Sequence, residues 1–533
     1  MEAISKQTVR IMKLFGQEMT AVKTTVGPEQ EYFLVDREVY EKRKDLRYTG
    51  RTLFGARPPK GQEMDDHYFG SIKPRVAAYM KDLDEELWQL GILAKTEHNE
   101  GAPAQHELAP IFTTTNIAAD HNQLTMEIMQ KVARKHGLVC LLHEKPFKGV
   151  NGSGKHNNWS IQTNTGINLL EPGETPYENA QFLLFLCAVI KAVDNYQDLL
   201  RISVATAGND HRLGAHEAPP AVVSMFLGDE LNDILEAIEN DTAYDAKEKV
   251  QMKVGVHVLP RFPKDTTDRN RTSPFAFTGN KFEFRMLGSA NSISSANIAL
   301  NTAVAESLKS YADRLENVEN FEEALHALIK KTIKDHKRII FNGNGYDDEW
   351  IKEAEKRGLS NLRTTPDCLP ALISEKSVEL FGNHKVFTRE ELEARYEIYL
   401  ENYCKTINIE ALTMIDMVNK DILPAISEYI GVLSGSVLAV KNVCPASSCA
   451  YEMSTVGRLS ELSASVCGKI AEFEKNLEKI NSCKDKLEVA NMYKDIILPA
   501  MESIRADVDA AESITSAKYW PYPSYGDLLF SVQ

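Results

Sequence analysis

Residues 26–36 read VGPEQEYFLVD, and the alternation within them decides the fold. Successive side chains of a strand point to opposite faces, so Glu29 and Glu31 project together while Pro28 and Gln30 face away. The same period aligns His156, Asn158 and Ser160 in HNNWSI. It also sets Lys281, Glu283 and Arg285 on one face of NKFEFRML, with Phe282 and Phe284 packed behind. Glu100 and Glu107 flank the short stretch NEGAPAQHE. Strands with charged faces and apolar backs predict the walls of a charged cleft.

Five carboxylates meeting in one place repel unless cations or protons compensate them. Glu29, Glu31, Glu100, Glu107 and Glu283, with the single imidazole of His156 and no thiolate, form a hard donor set suited to Mg2+ or Mn2+. Six ligands divide into two groups of three, which leaves positions open for water and phosphate oxygens. Arg212, Arg271 and Arg285 add guanidinium groups able to clamp a phosphate or a carboxylate in bidentate fashion. The chemical reading is phosphoryl transfer at a two-metal site.

At 533 residues the chain is long enough for two or more domains and a large core. Its net charge of −15 disfavours a nucleic-acid or anionic-membrane partner. The longest apolar run, residues 182–190, is too short to span a bilayer. The opening MEAISKQTVRIMKLFG reads as an amphipathic helix, not as a signal peptide. Eight scattered cysteines without a C-x-x-C pair fit reduced thiols and a cytoplasmic location.

Residues 1–340 alternate helices with short strands in no strict βαβ order, which predicts an α+β catalytic region around a largely antiparallel, curved sheet. Val76, Tyr79, Met80, Leu83, Leu87 and Leu90 form a helical stripe ended by Gly91. Residues 341–533 change character and read as a helical extension. Thr388 and Glu391 make a capping-box pattern opening a helix through Tyr403, and Leu459 to Ile480 keep a near-heptad spacing. A further helical stretch, residues 487–517, is expected to pair with it as an antiparallel hairpin. No internal repeat or low-complexity tract is read.

GPEQEYF (27–33), NEGAPAQHE (99–107), NGSGKH (151–156), RLGAHEAPP (212–220) and DRNRTSPFAFTGNKFEFR (268–285) resemble, in order and spacing, the catalytic signatures of glutamine synthetase. The wording of these blocks, the helical tail and the closing WPYPSYGDLLF look like its type III class. Matched position by position, the resemblance implies that Glu31, Glu100 and Glu107 hold one metal and that Glu29, His156 and Glu283 hold a second, which bridges ATP phosphates. Asn151 and Gly152 correspond to the residues that hold the amino-acid end of glutamate, and Arg212 to the arginine on its α-carboxylate. Glu217 corresponds to the mobile glutamate covering the site, although one residue fewer separates it from Arg212 than is usual. Arg271 matches an ATP-phosphate arginine, and Arg285 the arginine on the reacting γ-carboxyl and transferred phosphoryl. Tyr68, Phe69, Asn158 and Ser160 fall where the family contacts nucleotide, with a plain packing role equally open for Tyr68 and Phe69. Ala276 stands where common classes carry a second arginine, a place that Arg269 or Lys281 would fill.

The implied reaction has two steps: glutamate attacks the ATP γ-phosphorus to give γ-glutamyl phosphate, and ammonia then displaces phosphate. Glu100 and Glu217 would attract ammonium and accept its proton. The resemblance also implies a ring-shaped homo-oligomer. The family usually carries a small β-rich domain ahead of the first motif, supplying an aspartate to a neighbouring subunit; here only residues 1–26 precede that motif, so a catalytic half is expected. A ligase for a larger amine and a non-catalytic nucleotide-binding subunit stay open as alternatives. GVNGSGKH approaches a phosphate-loop pattern, but His156 replaces the Ser or Thr, and residues 157–163 alternate as a strand where a helix is required. That reading is rejected.

Overall fold

The computed structural model describes residues 1–242, 244, 251–252, 262–263 and 270–532. Its strands are β1 (Val22–Asp36), β2 (Ala94–Asn99), β3 (Gln105–Pro110), β4 (Thr113–Thr114), β5 (Leu138–Leu141), β6 (Gly154–Thr163), β7 (Met225–Phe226), β8 (Gln251–Met252), β9 (Phe262–Pro263), β10 (Phe275–Phe277) and β11 (Phe282–Gly288). Except for the β8–β9 pair they form one sheet in the order β2-β3-β1-β6-β11-β10-β7, with β4 and β5 also on β1. All its pairings are antiparallel except β10 with β7. The expected α+β architecture with a largely antiparallel sheet and C-terminal helices is borne out.

β1 is the spine. One edge runs along β6 from Val22 to Gln30 and then along β5 at Phe33–Asp36, while the other is shared by β4 at Thr25–Val26 and β3 at Gln30–Phe33. Pro28 has no N–H to give a ladder, and it falls in the gap between the β4 and β3 pairings. Next to it, a Cβ on Gly27 would lie 3.2 Å from the Phe112 side chain, so that closely packed position suits glycine.

The two faces of β1 pack differently. Tyr32 and Leu34 join a core with the helices Pro74–Gln89 and Thr115–Lys135. Phe33 and Val35, on the face of Glu29 and Glu31, meet Phe147 and the terminal helix Tyr525–Phe530. Behind β6 and β11, Trp159, Ile161, Phe282 and Phe284 are buried against the helices Ala180–Asn195 and Ser294–Leu315. The charged strands therefore have the apolar backing their alternation predicts.

The capping box at Thr388 is present, and its helix runs Arg389–Met417, beyond the expected end at Tyr403. It continues through a π turn at Val418–Ile422 into Leu423–Val443. A second π turn, Tyr493–Ile497, precedes Leu498–Ile514. Both turns end on the first residue of the same tetrapeptide, ILPA at 422–425 and 497–500. Proline lacks the N–H that closes an α-helical bond, so the backbone widens there instead of breaking. The helix Ala450–Ser482 turns its spaced apolar residues onto Leu498–Ile514, as the heptad spacing predicts.

This helical core also takes in Leu53, Phe54, Leu199, Ile202 and Ala207 from the first half of the chain. The Arg51 guanidinium forms a buried bidentate pair with Glu410, both bonds 2.7 Å, across the same junction. Run length alone missed one property of the extension. Arg389–Val443 is, among the described residues, the one helical segment long and apolar enough to cross a membrane by composition; only 22% of its most apolar window is buried.

Candidate functional site

β1, β6 and β11 bring the first triad together. Glu29 is the register partner of His156, and Glu283 that of Asn158. The Nδ1 of His156 lies 2.8 Å from Glu283 Oε1 and 3.3 Å from Glu29 Oε2. Asn158 donates to Glu29 Oε1 at 2.8 Å, and Arg285 donates to Glu283 Oε2 at 3.0 Å. Burial lowers the His156 pKa, yet the two carboxylates more than reverse it and hold the imidazole well above its usual range. Burial raises Glu283, but His156 and Arg285 together keep its carboxyl below the ordinary range.

A second triad lies on β2, β3 and the turn between them. His98 Nε2 is 3.1 Å from Glu107 Oε1, and its Nδ1 is 3.4 Å from Glu100 Oε1. The Glu107 hydrogen bond is the main cause that pushes His98 up to about 9, and burial with the charges of Glu31 and Glu107 pushes Glu100 up to about 8. Glu31 pairs in register with Glu107, and its Oε2 accepts from the Gly154 N–H at 2.5 Å. Burial raises the Glu31 pKa, with Glu107, His156 and Arg212 among the charges acting on it. Glu29 and Glu31 stand roughly 7 Å apart along β1 by the rise of a strand, so the two groups are neighbours.

The possible ligand atoms of Glu29, His156 and Glu283 lie within 4.8 Å of one another, as do those of His98, Glu100 and Glu107. Carboxylate oxygens with imidazole nitrogen and no thiolate fit Mg2+ or Mn2+ better than structural zinc. His98 was missed in the sequence although its signal was present: it stands two residues before Glu100, the spacing already read for Glu29 and Glu31.

The loops over the cleft are tied by Glu217. Its Oε2 accepts from Asn151 Nδ2 at 2.8 Å and its Oε1 from Arg271 Nη1 at 3.0 Å, so one carboxylate bridges two loops. His216 and Glu217 both adopt positive φ, 53° and 66°, a conformation rare for side-chain-bearing residues. Gln62 exchanges two 2.8 Å hydrogen bonds with Asn151, a partner that no sequence pattern signalled. A Cβ on Gly152 would sit 2.3 Å from the Glu144 carbonyl, so only glycine fits there.

Arg212 is buried and donates to the carbonyls of Arg285 (3.2 Å) and Leu287 (3.1 Å) at the end of β11. Its Nε and that of Arg285 are buried without an acceptor among the described residues. Arg271 lies 6.0 Å from the centre of the Tyr68 ring, whose other neighbours are Phe69 and His98. Phe69 is 82% exposed, which is not a packing position. Ser160 and Lys281 stand at the far end of β6 and the β10–β11 turn, where the Ser160 hydroxyl meets Asn168 Oδ1 at 2.6 Å. Ala276 is buried opposite Glu283; Arg269 lies outside the described residues.

Comparison with known proteins gives the family of the chain. The family model for the glutamine synthetase catalytic domain matches residues 6–222, and that for the glutamine synthetase C-terminal domain matches residues 324–441. A glutamine synthetase of Butyrivibrio fibrisolvens is 52% identical over 100% of this chain and 76% of its own length. A type-3 glutamine synthetase of Dictyostelium discoideum is 46% identical over 99% of this chain and 73% of its own. A glutamine synthetase of Bacteroides fragilis is 43% identical over 99% and 74%, respectively.

Proposed function

The chain belongs to the glutamine synthetase family and is a glutamate–ammonia ligase driven by ATP; from that premise we propose how the cleft divides the work. Glu29, His156 and Glu283 would hold one divalent cation, and Glu31, Glu100 and Glu107, with His98 beside them, a second. When bound, such ions neutralise phosphate oxygens as charge shifts during transfer. The observation that carries this reading is the pair of clusters Glu29–His156–Glu283 and His98–Glu100–Glu107 on one sheet, with Glu31 in register with Glu107.

The chain's own cations do the rest of the charge work. Arg285, fixed by Glu283 and by the Asn270 carbonyl, keeps a buried Nε–H free for the γ-carboxylate and the transferred phosphoryl. Arg212, held by β11 carbonyls, keeps its own Nε–H for an anionic substrate group. Arg271 with Tyr68 and Phe69 lines the nucleotide side, and Asn158, Ser160 and Lys281 extend it along β6. Asn151 and Gly152 form the glutamate side. Glu217, bridging Asn151 and Arg271, shields the acyl phosphate from water, and Glu100 and Glu217 receive the ammonium proton.

The proposal includes a catalytic region, residues 1–340, a helical region, 341–533, and a cytoplasmic homo-oligomer of ring form. Supporting self-association, Leu438, Val443, Tyr451 and Met453 are more than half exposed on the adjacent helices Leu423–Val443 and Ala450–Ser482. Exposed apolar surface of this kind marks interaction sites. Light scattering that shows only monomer at micromolar concentration contradicts the oligomer. The roles in the cleft are tested by ADP release with Mg2+ and ATP, omitting glutamate or ammonia in turn. Sustained release should require both, with at most one ADP per site when only ammonia is omitted; release in the absence of glutamate overturns the assigned sequence of steps.

A further inference from the structure

A pocket of about 350 Å3 lies apart from the cleft, between β5, the helix Lys44–Thr49 and the end of the helix Thr115–Lys135. Tyr40, Arg47, Gln130, Arg134 and His143 are among its lining residues, and none of them is a residue of the cleft. Its volume falls in the range of small-molecule sites.

Its charge is unusual for a chain of net charge −15. Neither Arg47 nor Arg134 has a carboxylate within ion-pair distance among the described residues. The acids nearest in sequence are committed elsewhere: Asp45 to Arg43, Glu41 to Arg37 and Glu127 to Lys131. Tyr40, Arg47 and Arg134 line the one pocket from three separate helices, and both guanidinium charges act on the half-buried Tyr40 phenol, opposing the burial that raises its pKa. His143 adds a fourth donor. Its Nδ1 accepts from the Lys145 amide at 2.9 Å, which leaves the proton of the neutral ring on Nε2, and burial pushes its pKa down to about 4. Two guanidinium forks, a phenol, an imidazole N–H and the Gln130 amide form a set rich in donors with no carboxylate in the lining; the carboxylate that acts on His143, Glu410, is paired with Arg51.

We propose that this pocket binds a small polyvalent oxyanion, a phosphate- or carboxylate-bearing metabolite, independently of the catalytic cleft. Planar guanidinium groups match the paired oxygens of either class. The site also has a physical connection to the cleft. The β5 wall continues through His143 to the buried Glu144, whose Oε1 accepts from the Ala290 N–H at 3.0 Å. A Cβ on Gly208 or Gly288 would come within 2.4 Å of that carboxylate, so it is wedged between the segments carrying Arg212 and β11.

Isothermal titration of the full chain, without divalent metal, tests the site with pyrophosphate in one arm and citrate in the other. At least one arm should bind the wild type. That binding should weaken at least roughly tenfold in R47Q and in R134Q and persist in R285Q, which alters only the cleft. Both pocket arginines are exposed, and unchanged melting of the two variants excludes misfolding as the cause. Preference for pyrophosphate or for citrate identifies the class. No binding at millimolar ligand, or binding lost in R285Q and kept in R47Q and R134Q, overturns the proposal.

Discussion

The cleft built on β1, β6 and β11 crowds carboxylates that burial penalises, is covered by a loop with two consecutive side-chain-bearing residues at positive φ, and leaves buried arginine nitrogens without acceptors among the described residues. The helices from Arg389 to Ile514 obey local rules instead. A complete capping box opens them, spaced apolar residues face one another, and prolines fall where a π turn accommodates them. One region is arranged for chemistry against its own stability, and the other stabilises it. Violations of local preference concentrated in one region of an otherwise regular fold are the expected mark of a functional site.

The largest effect should come from breaking the joint between the two regions. Glu410→Ala strands the buried Arg51 guanidinium, and removal of one partner of a buried pair costs about 3–5 kcal/mol. Chemical denaturation should show that loss while the folded fraction keeps its turnover number. Unchanged stability would mean that the two regions are energetically independent.

Glu283→Ala acts on the opposite side of the comparison. Loss of one such contact raises a barrier by about 2.7–4 kcal/mol, so glutamine formation should fall by two to three orders of magnitude with little change in melting temperature. A variant that melts far earlier would assign Glu283 to stability.

Much of this contrast was legible in the sequence, because both regions rest on periods. The period of two placed Glu29, His156 and Glu283 on charged faces backed by Trp159, Phe282 and Phe284, and the capping spacing located the helix after Thr388. Contacts between distant segments carry no period. The amide exchange of Gln62 with Asn151 is one example. The seating of Tyr525, whose hydroxyl meets Thr52 at 2.6 Å and Arg505 at 2.7 Å, is another. Leu90 illustrates a boundary effect: it belongs to the apolar stripe, yet the helix ends at Gln89 and Leu90 is exposed.

A pH test sharpens the comparison on the helical side. Burial pushes the Glu512 carboxyl up to about 7, where its Oε2 accepts from the Ala56 N–H at 2.8 Å. For an acid raised in the folded state, the stabilising contribution is full below the unfolded value near 4.5 and is lost as pH rises through about 7. Glu512→Gln should remove that loss and melt higher than wild type at pH 8, by up to about 3 kcal/mol. A variant less stable at pH 8 would show that the charged acceptor outweighs burial. The smallest effect is expected of Thr388→Ala, which removes a helix cap and should cost about 1 kcal/mol without altering catalysis; denaturant midpoints check it.

The most direct test of the account is the number of Mn2+ ions bound per chain, read by electron paramagnetic resonance in wild type and in Glu283→Ala. The two-triad cleft predicts at least two ions in the wild type and one fewer in the variant. Equal stoichiometry in both proteins, or a single ion in the wild type, would contradict it.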